Sequence, residues 1–307
     1  MSARWSAWAA LGVVYVVWGS TYLGIRFAIE SMPPLLSAGT RFLVGGVVLG
    51  SLVLLFAGRR GLRMTRAQFG SAALLGLLLP ACGNGLVTVA EQHIPSGLAA
   101  LLVACVPLYV VLLRRSSGER PPPVTFIGVA FGLGGLALLL LLGRSEGGTQ
   151  GTAWWGPWLV LLAALGWATG SFASTKLPVP ANPFALSAVE MVAGGAVLTL
   201  GGLFTGEHLD LAAVTTSSWI AWGYLVVFGS LLAFSSYVFV LGELPVSTVA
   251  TYAYVNPVIA VLLGVVFAGE RFGLAQLAGG ALVLLAVVLV VRAERRPRTV
   301  ERELVRA

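Results

Sequence analysis

Four ionisable side chains fall within stretches apolar enough to sit in a bilayer: Arg26, Arg41, Glu91 and Glu190. A charge at mid-depth costs at least about 2.5–3.5 kcal/mol, so such groups face a polar cavity or a partner. A carboxylate so placed can take up a proton or hold a substrate's ammonium group. A guanidinium can hold a carboxylate, either a substrate's or the protein's own. Glu190 and Glu91 are therefore candidate coupling or amine-binding sites, and Arg41 a candidate carboxylate site. Arg26 and Glu91 lie near the ends of their segments, where a structural ion pair or snorkelling to the interface is the competing reading. The same alternative stands for Arg41 and Glu190.

A second group is polar but uncharged. Ser247 to Arg271 is apolar enough to cross a membrane, yet carries Tyr252-Ala253-Tyr254-Val255-Asn256-Pro257 in its first half. Pro257 has no N–H for the Ala253 carbonyl, and broken backbone survives in a bilayer only inside protein or beside a polar cavity. On a regular helix Tyr252 and Asn256 share a face while Tyr254 points elsewhere. Asn256 both donates and accepts, as does Asn84, flanked by Gly83 and Gly85. Trp18, Tyr22 and Trp167 would wall an apolar pocket. These six, Trp18, Tyr22, Asn84, Trp167, Tyr252 and Asn256, are the candidate substrate-binding residues. Interior packing and helix–helix hydrogen bonding are the alternatives. Pro80, Pro107 and Pro257 read as kinks that shape a cavity rather than as ligands.

The elements that must position these residues are hydrophobic helices. The chain has 307 residues, 58% of them hydrophobic and 10% charged, with a mean hydropathy of +0.93. Soluble domains carry about 25% charged residues. A membrane span needs roughly 20 apolar residues, and ten segments qualify: 8–29, 35–57, 69–90, 96–113, 124–142, 154–175, 183–204, 218–241, 246–268 and 273–291. The expected fold class is an all-α membrane protein with ten transmembrane helices. The first segment is too long for a signal-peptide core and lacks a cleavage site, so it counts as a helix.

Charge sets the expected orientation. Cytoplasmic loops attract Lys and Arg. With the N-terminus inside, all nineteen basic residues fall on the inner side except Arg26, Arg41, Arg144 and Arg271. Both termini are then cytoplasmic. The basic tail, 293–307, reads as a topology anchor in contact with anionic lipid. The net charge of +7 thus needs no nucleic acid. Trp5, Trp8, Trp154, Trp155 and Trp158 cluster at segment ends, as interfacial aromatics do. Cys82 and Cys105 lie inside spans and read as small packing residues.

The chain also repeats itself. Trp18 matches Trp167, and Gly45-Gly46 matches Gly194-Gly195, at an offset of 149; Pro107 matches Pro257 at 150; Ser96 matches Ser247, and Gly118-Glu119-Arg120 matches Gly269-Glu270-Arg271, at 151. Two units of five helices follow, 8–142 and 154–292, joined by a Gly-rich link. Five is odd, so the second unit enters the membrane upside down. Inverted repeats with a site near the midplane are a recurrent design of secondary transporters. Arg41 and Glu190 then occupy equivalent positions, Arg41 towards the outer face and Glu190 towards the inner. The fifth and tenth segments are almost purely apolar and belong at the periphery, their glycines serving packing.

Taken together, these motifs resemble the EamA family of the drug/metabolite transporter superfamily, in its YedA-type branch. The residues that carry the resemblance are Trp18-Gly19-Ser20-Thr21-Tyr22 with Arg26, Pro33-Pro34 leading to Arg41-Phe42, Gly83-Asn84-Gly85 through Glu91, Pro95-Ser96-Gly97, Gly223-Tyr224-Leu225 with Phe228-Gly229-Ser230, and Tyr252 to Pro257 followed by Gly269-Glu270. The resemblance covers about 8 to 292. It implies ten helices in two repeats, cytoplasmic termini, and export of small metabolites or drugs from the inner membrane. Amino-acid-like or amphiphilic compounds would be the substrates, moved by alternating access. The first repeat reads Val106-Pro107 where the second reads Asn256-Pro257, so any contact specific to Asn256 is one-sided.

Other functions find less support. No HExxH, GxSxG, GxxxxGK or metal-spaced Cys/His cluster occurs, so neither cofactor nor metal is expected and the chain is no ATP-driven pump alone. A passive facilitator of the same fold remains the main alternative. An enzyme acting on lipid-linked substrates would need a clustered acid/base set, whereas the carboxylates are scattered. Expected partners are a small-molecule substrate, a proton or counter-substrate, and the bilayer; oligomeric state is not legible.

Overall fold

A computed structural model describes residues 3–119, 122–141 and 148–294. Arg120, Arg144 and the tail from residue 295 lie outside the described residues. Among the described residues the chain is helical, with no strand and one isolated bridge, Gly148–Gly151. Seven helices are long and apolar enough to cross a membrane, and three shorter apolar helices, Thr125–Leu141, Val255–Ala268 and Leu274–Val290, accompany them.

Ten helical rods are distinguished: α1 (Ala3–Ala28), α2 (Pro34–Gly61), α3 (Arg66–Ala90), α4 (Ser96–Ser116), α5 (Pro123–Leu141), α6 (Gly156–Ser174), α7 (Pro183–Phe204), α8 (Thr216–Glu243), α9 (Val246–Val249 and Tyr252–Ala268) and α10 (Leu274–Glu294). Their starts follow local chemistry. Thr65 and Gln68 close a reciprocal capping box on α3. Asn182 caps α7 through Phe184 N at 3.0 Å, and Thr215 caps α8 through Ser218 N at 3.2 Å. Such side chains satisfy N–H groups that have no partner inside the helix. Pro34, Pro157 and Pro183 occupy first turns, where the missing N–H costs nothing.

The broken rods differ from the sequence expectation in detail. α4 interrupts at Ala104–Cys105 and α9 at Ala250–Thr251, before their prolines rather than at them. Pro107 lies in the first turn of the fresh segment, Val106–Ser116, where its missing N–H leaves no helical bond unmade. Pro80 lies inside a π-helical stretch, Leu77–Gly85, and a second such stretch, Leu225–Phe234, occupies the middle of α8. The second contains no proline, so the widened turn is not a proline effect.

Small residues set the packing. An added Cβ on Gly46 would lie 2.8 Å from Val192 and 2.9 Å from the Ala188 carbonyl, and one on Gly195 would lie 2.7 Å from Leu43 N. α2 and α7 therefore cross almost backbone to backbone, running antiparallel. α5 and α10 do the same through Gly135 and Gly279, and this pair packs chiefly on itself. Close approach of this kind replaces the hydrophobic drive that lipid removes. The remaining six rods surround the centre. α1 runs parallel to α9, with Tyr15 beside Thr251 and Arg26 beside Glu270. It runs antiparallel to α8, with Trp18 against Gly229 and Phe27 against Ser218.

Candidate functional site

At the centre lies a cavity of about 50 Å³. All six sequence-derived binding candidates line it: Trp18 and Tyr22 from α1, Asn84 from α3, Trp167 from α6, Tyr252 and Asn256 from α9. Thr21, Val87 and Val103 complete much of the wall. The volume suits only a few waters.

One side of the cavity is aromatic. The Trp18 ring lies 5.2 Å from Trp167, 4.8 Å from Tyr237 and 5.3 Å from Tyr252, centroid to centroid. Tyr237 also touches Trp167 at 5.3 Å and Tyr252 at 5.8 Å. Its hydroxyl accepts from Trp167 Nε1 at 3.1 Å and bonds the Ser171 hydroxyl at 2.6 Å. Edge-on rings at these spacings stabilise one another by about 0.5–1.5 kcal/mol a pair beyond simple burial. Trp18 and Trp167, equivalent in the sequence repeat, thus meet face to edge at the bundle centre.

The opposite side is polar. Arg41 is buried, 3% exposed, and stands behind Asn84 rather than on the cavity wall. Its Nη2 donates to Asn84 Oδ1 at 3.3 Å, its Nε donates to Ser230 Oγ at 3.0 Å, and its guanidinium lies 4.3 Å over the Phe42 ring. No ion pair joins Arg41 to a carboxylate among the described residues. The charge is held by neutral partners one side chain away from the cavity. Asn256, with its amide oriented to suit its neighbours, donates from Nδ2 to the carbonyls of Tyr15 at 2.9 Å and Tyr252 at 3.3 Å. It therefore ties α1 to α9 as well as lining the cavity.

The carboxylates stand apart. Glu91, at the end of α3, is fully buried, and neither oxygen has a hydrogen-bond partner; it does not line the cavity. Glu190 lies at the opposite end of the bundle, on a separate crevice of about 190 Å³ between α6, α7 and α8. Arg26 pairs with Glu270 at 3.5 Å. No α8 residue lines the cavity. The polar groups of this helix, Ser230 and Tyr237, act from behind, as partners of Arg41 and Trp167.

Two important residues carried little sequence signal. Tyr237 was visible only as part of a polar Ser235-Ser236-Tyr237 patch. Glu270 stood out only as a repeat marker. In the structure its carboxylate accepts from Ser96 N and Ser96 Oγ, both at 2.7 Å, and from Gly97 N at 3.0 Å, capping α4 from the end of α9.

The profile of the EamA-like transporter family matches residues 4–141 and again 154–292. The chain is 40% identical over 283 residues to the "Uncharacterized inner membrane transporter YedA" of Escherichia coli K12, covering 92% of this chain and 89% of that one. It is 28% identical over 287 residues to a "Probable terminal-alkyne amino-acid exporter" of Streptantibioticus cattleyicolor, covering 92% of each. A solved crystal structure at 22% identity superposes with a TM-score of 0.68 over 95% of this chain and 99% of that one, which speaks for the fold.

Proposed function

Because the chain belongs to the EamA-like transporter family, we propose that it is a secondary transporter exporting small amphiphilic, amino-acid-like compounds by alternating access. The observation that carries this reading is the convergence of Trp18, Tyr22, Asn84, Trp167, Tyr252 and Asn256 on one central cavity, with Arg41 behind Asn84. Rings suit an apolar side chain. Arg41, whose hydrogen-bond partners Asn84 and Ser230 carry no counter-charge, suits a carboxylate, whose two oxygens can take the paired N–H donors of a planar guanidinium. The exporter name of one relative points the same way. Arg41, Glu91 and Glu190 are then the charge and coupling sites, and Pro107 and Pro257 flank the breaks about which the helices move.

On this reading ten helices span the inner membrane in two inverted repeats, 8–142 and 154–292, with both termini and the 293–307 tail in the cytoplasm. Supporting it are the antiparallel α2–α7 and α5–α10 pairs, the π stretch in both α3 and α8, and the left-handed glycines Gly118 and Gly269 at equivalent turns. The Glu190 end, where most Lys and Arg fall, is the cytoplasmic one.

The test is flux in reconstituted vesicles, with amphiphilic amino acids as first candidates. Movement against a gradient that collapses with a protonophore is the expected result. Strictly downhill flux would make the protein a passive facilitator instead. Glu190→Gln should abolish uphill movement; unchanged, equally pH-dependent transport would remove Glu190 as a proton site.

A further inference from the structure

The crevice at the Glu190 end has a chemistry of its own. It lies between the end of α6 and its following loop, the first turns of α7 and the end of α8. Val179, Leu186, Val238 and Phe239 make its walls apolar. Its ionisable groups are Glu190 and Glu243, with no Lys, Arg or His on the wall. Glu190 is 1% exposed and its Oε2 has no hydrogen-bond partner; Ser187 Oγ, one turn earlier on the same helix face, also has none.

Glu190 differs here from the other buried charges. Glu270 accepts three hydrogen bonds and faces Arg26. Glu91 also has no hydrogen bond and does not line a crevice of this kind, whereas Glu190 lies on a wall that carries no Lys, Arg or His among the described residues. An isolated buried carboxylate is strongly disfavoured until a proton or cation neutralises it. A bare Ca²⁺ or Mg²⁺ would want six or more oxygen ligands, and two carboxylates with no His or Cys on the wall make a poor site for either of these or for zinc. An ammonium on an alkyl or aryl body satisfies both the charge and the walls, which include the aromatic side chain of Phe239.

The crevice also stops short of the central cavity. Val238 lines the crevice, while its neighbour Tyr237 packs on Trp18, Trp167 and Tyr252 and holds Trp167 Nε1. Tyr237 and Trp167 form the partition. We propose that the Glu190 crevice is a second binding site, for an organic ammonium group, separated from the central cavity by this partition. The inference deepens the transport reading by giving an amine-bearing substrate a first station on the cytoplasmic side. It rests on that reading only for the direction of travel, since binding here does not require transport.

The test is calorimetric titration of the purified full-length protein with phenethylammonium, using 2-phenylethanol as the uncharged control. Saturable binding is expected, at least tenfold tighter than for the alcohol and weakened at least tenfold by Glu190→Gln, a difference of about 1.4 kcal/mol or more. Asn84→Ala, which removes a central-cavity side chain and one partner of Arg41 but no crevice residue, should leave the affinity within about twofold. No binding to the wild type, equal binding by Glu190→Gln, or loss with Asn84→Ala as large as with Glu190→Gln would each overturn the proposal. Should Glu190→Gln fail to fold, a thiol placed in the crevice by Ser174→Cys decides: phenethylammonium, but not 2-phenylethanol, should shield it from alkylation, and no shielding overturns the site. Crevice binding without vesicle flux would sink the transport reading alone. Flux without crevice binding would sink this site alone.

Discussion

Glu270 and Glu190 are both buried carboxylates, and the two ends of the bundle treat them oppositely. Glu270 sits against the first turn of α4, accepting from Ser96 and Gly97 with Arg26 alongside. Glu207 does similar work nearby, accepting from Leu35 N at 3.1 Å and Leu36 N at 2.8 Å at the start of α2. Both join the second half of the chain to helix starts in the first. At the other end, the sequence counterpart of Glu270 is Glu119, which is 37% exposed and pairs with Arg114 at 2.8 Å and Lys176 at 3.7 Å. There Glu190 has an open crevice and no partner. The first end thus ties its buried carboxylate into cross-links between the two halves, while the other leaves Glu190 beside a crevice, although Asn182 and Lys176 still reach the first half there through Gly61 and Glu119.

The comparison breaks most readily at Glu270. Glu270→Ala orphans the Ser96 and Gly97 donors and Arg26 together, and should destabilise the protein by about 3 kcal/mol. Chemical unfolding in detergent would measure it, and a loss below about 1 kcal/mol would mean this end is held elsewhere. The α2–α7 seam is common to both ends, so disturbing it should loosen them together. Gly46→Val brings its side chain onto Val192 and the Ala188 carbonyl and should cost about 2 kcal/mol by overpacking. Equal loss of thiol protection at Ser174→Cys and at a Ser31→Cys probe would show the seam acting on both ends.

Tyr237→Phe sharpens the contrast between crevice and cavity. Losing the hydroxyl that bonds Trp167 and Ser171 should cost about 1 kcal/mol, and phenethylammonium should then protect a thiol in the central cavity too. The smallest effect is expected at Glu119→Gln. Its pairs are exposed, so unfolding should shift by less than about 1 kcal/mol. A loss as large as that of Glu270→Ala would erase the distinction between the ends.

Much of this protein was legible in short windows of sequence. Apolar length marked the helices, and the near-constant offset of matches such as Trp18 with Trp167 and Pro107 with Pro257 pointed to a repeat. The six cavity residues could be singled out because aromatic and amide side chains are conspicuous in an apolar stretch. These are properties of a few consecutive residues and of their transfer free energies, and no long-range contact is needed to read them.

Tertiary structure decided the pairings. That Trp18 meets Trp167, that Arg41 answers to Asn84 and Ser230 rather than to Glu190, and that Glu270 caps a helix far away in the chain all depend on how each helix is rotated and how deeply it sits against its neighbours. Close crossings at Gly46 and Gly195 set those rotations, and a repeat pattern alone leaves them free. The sequence marked Arg41 and Glu190 as equivalent; only packing gave Arg41 its hydrogen-bond partners and set Glu190 on the wall of a crevice.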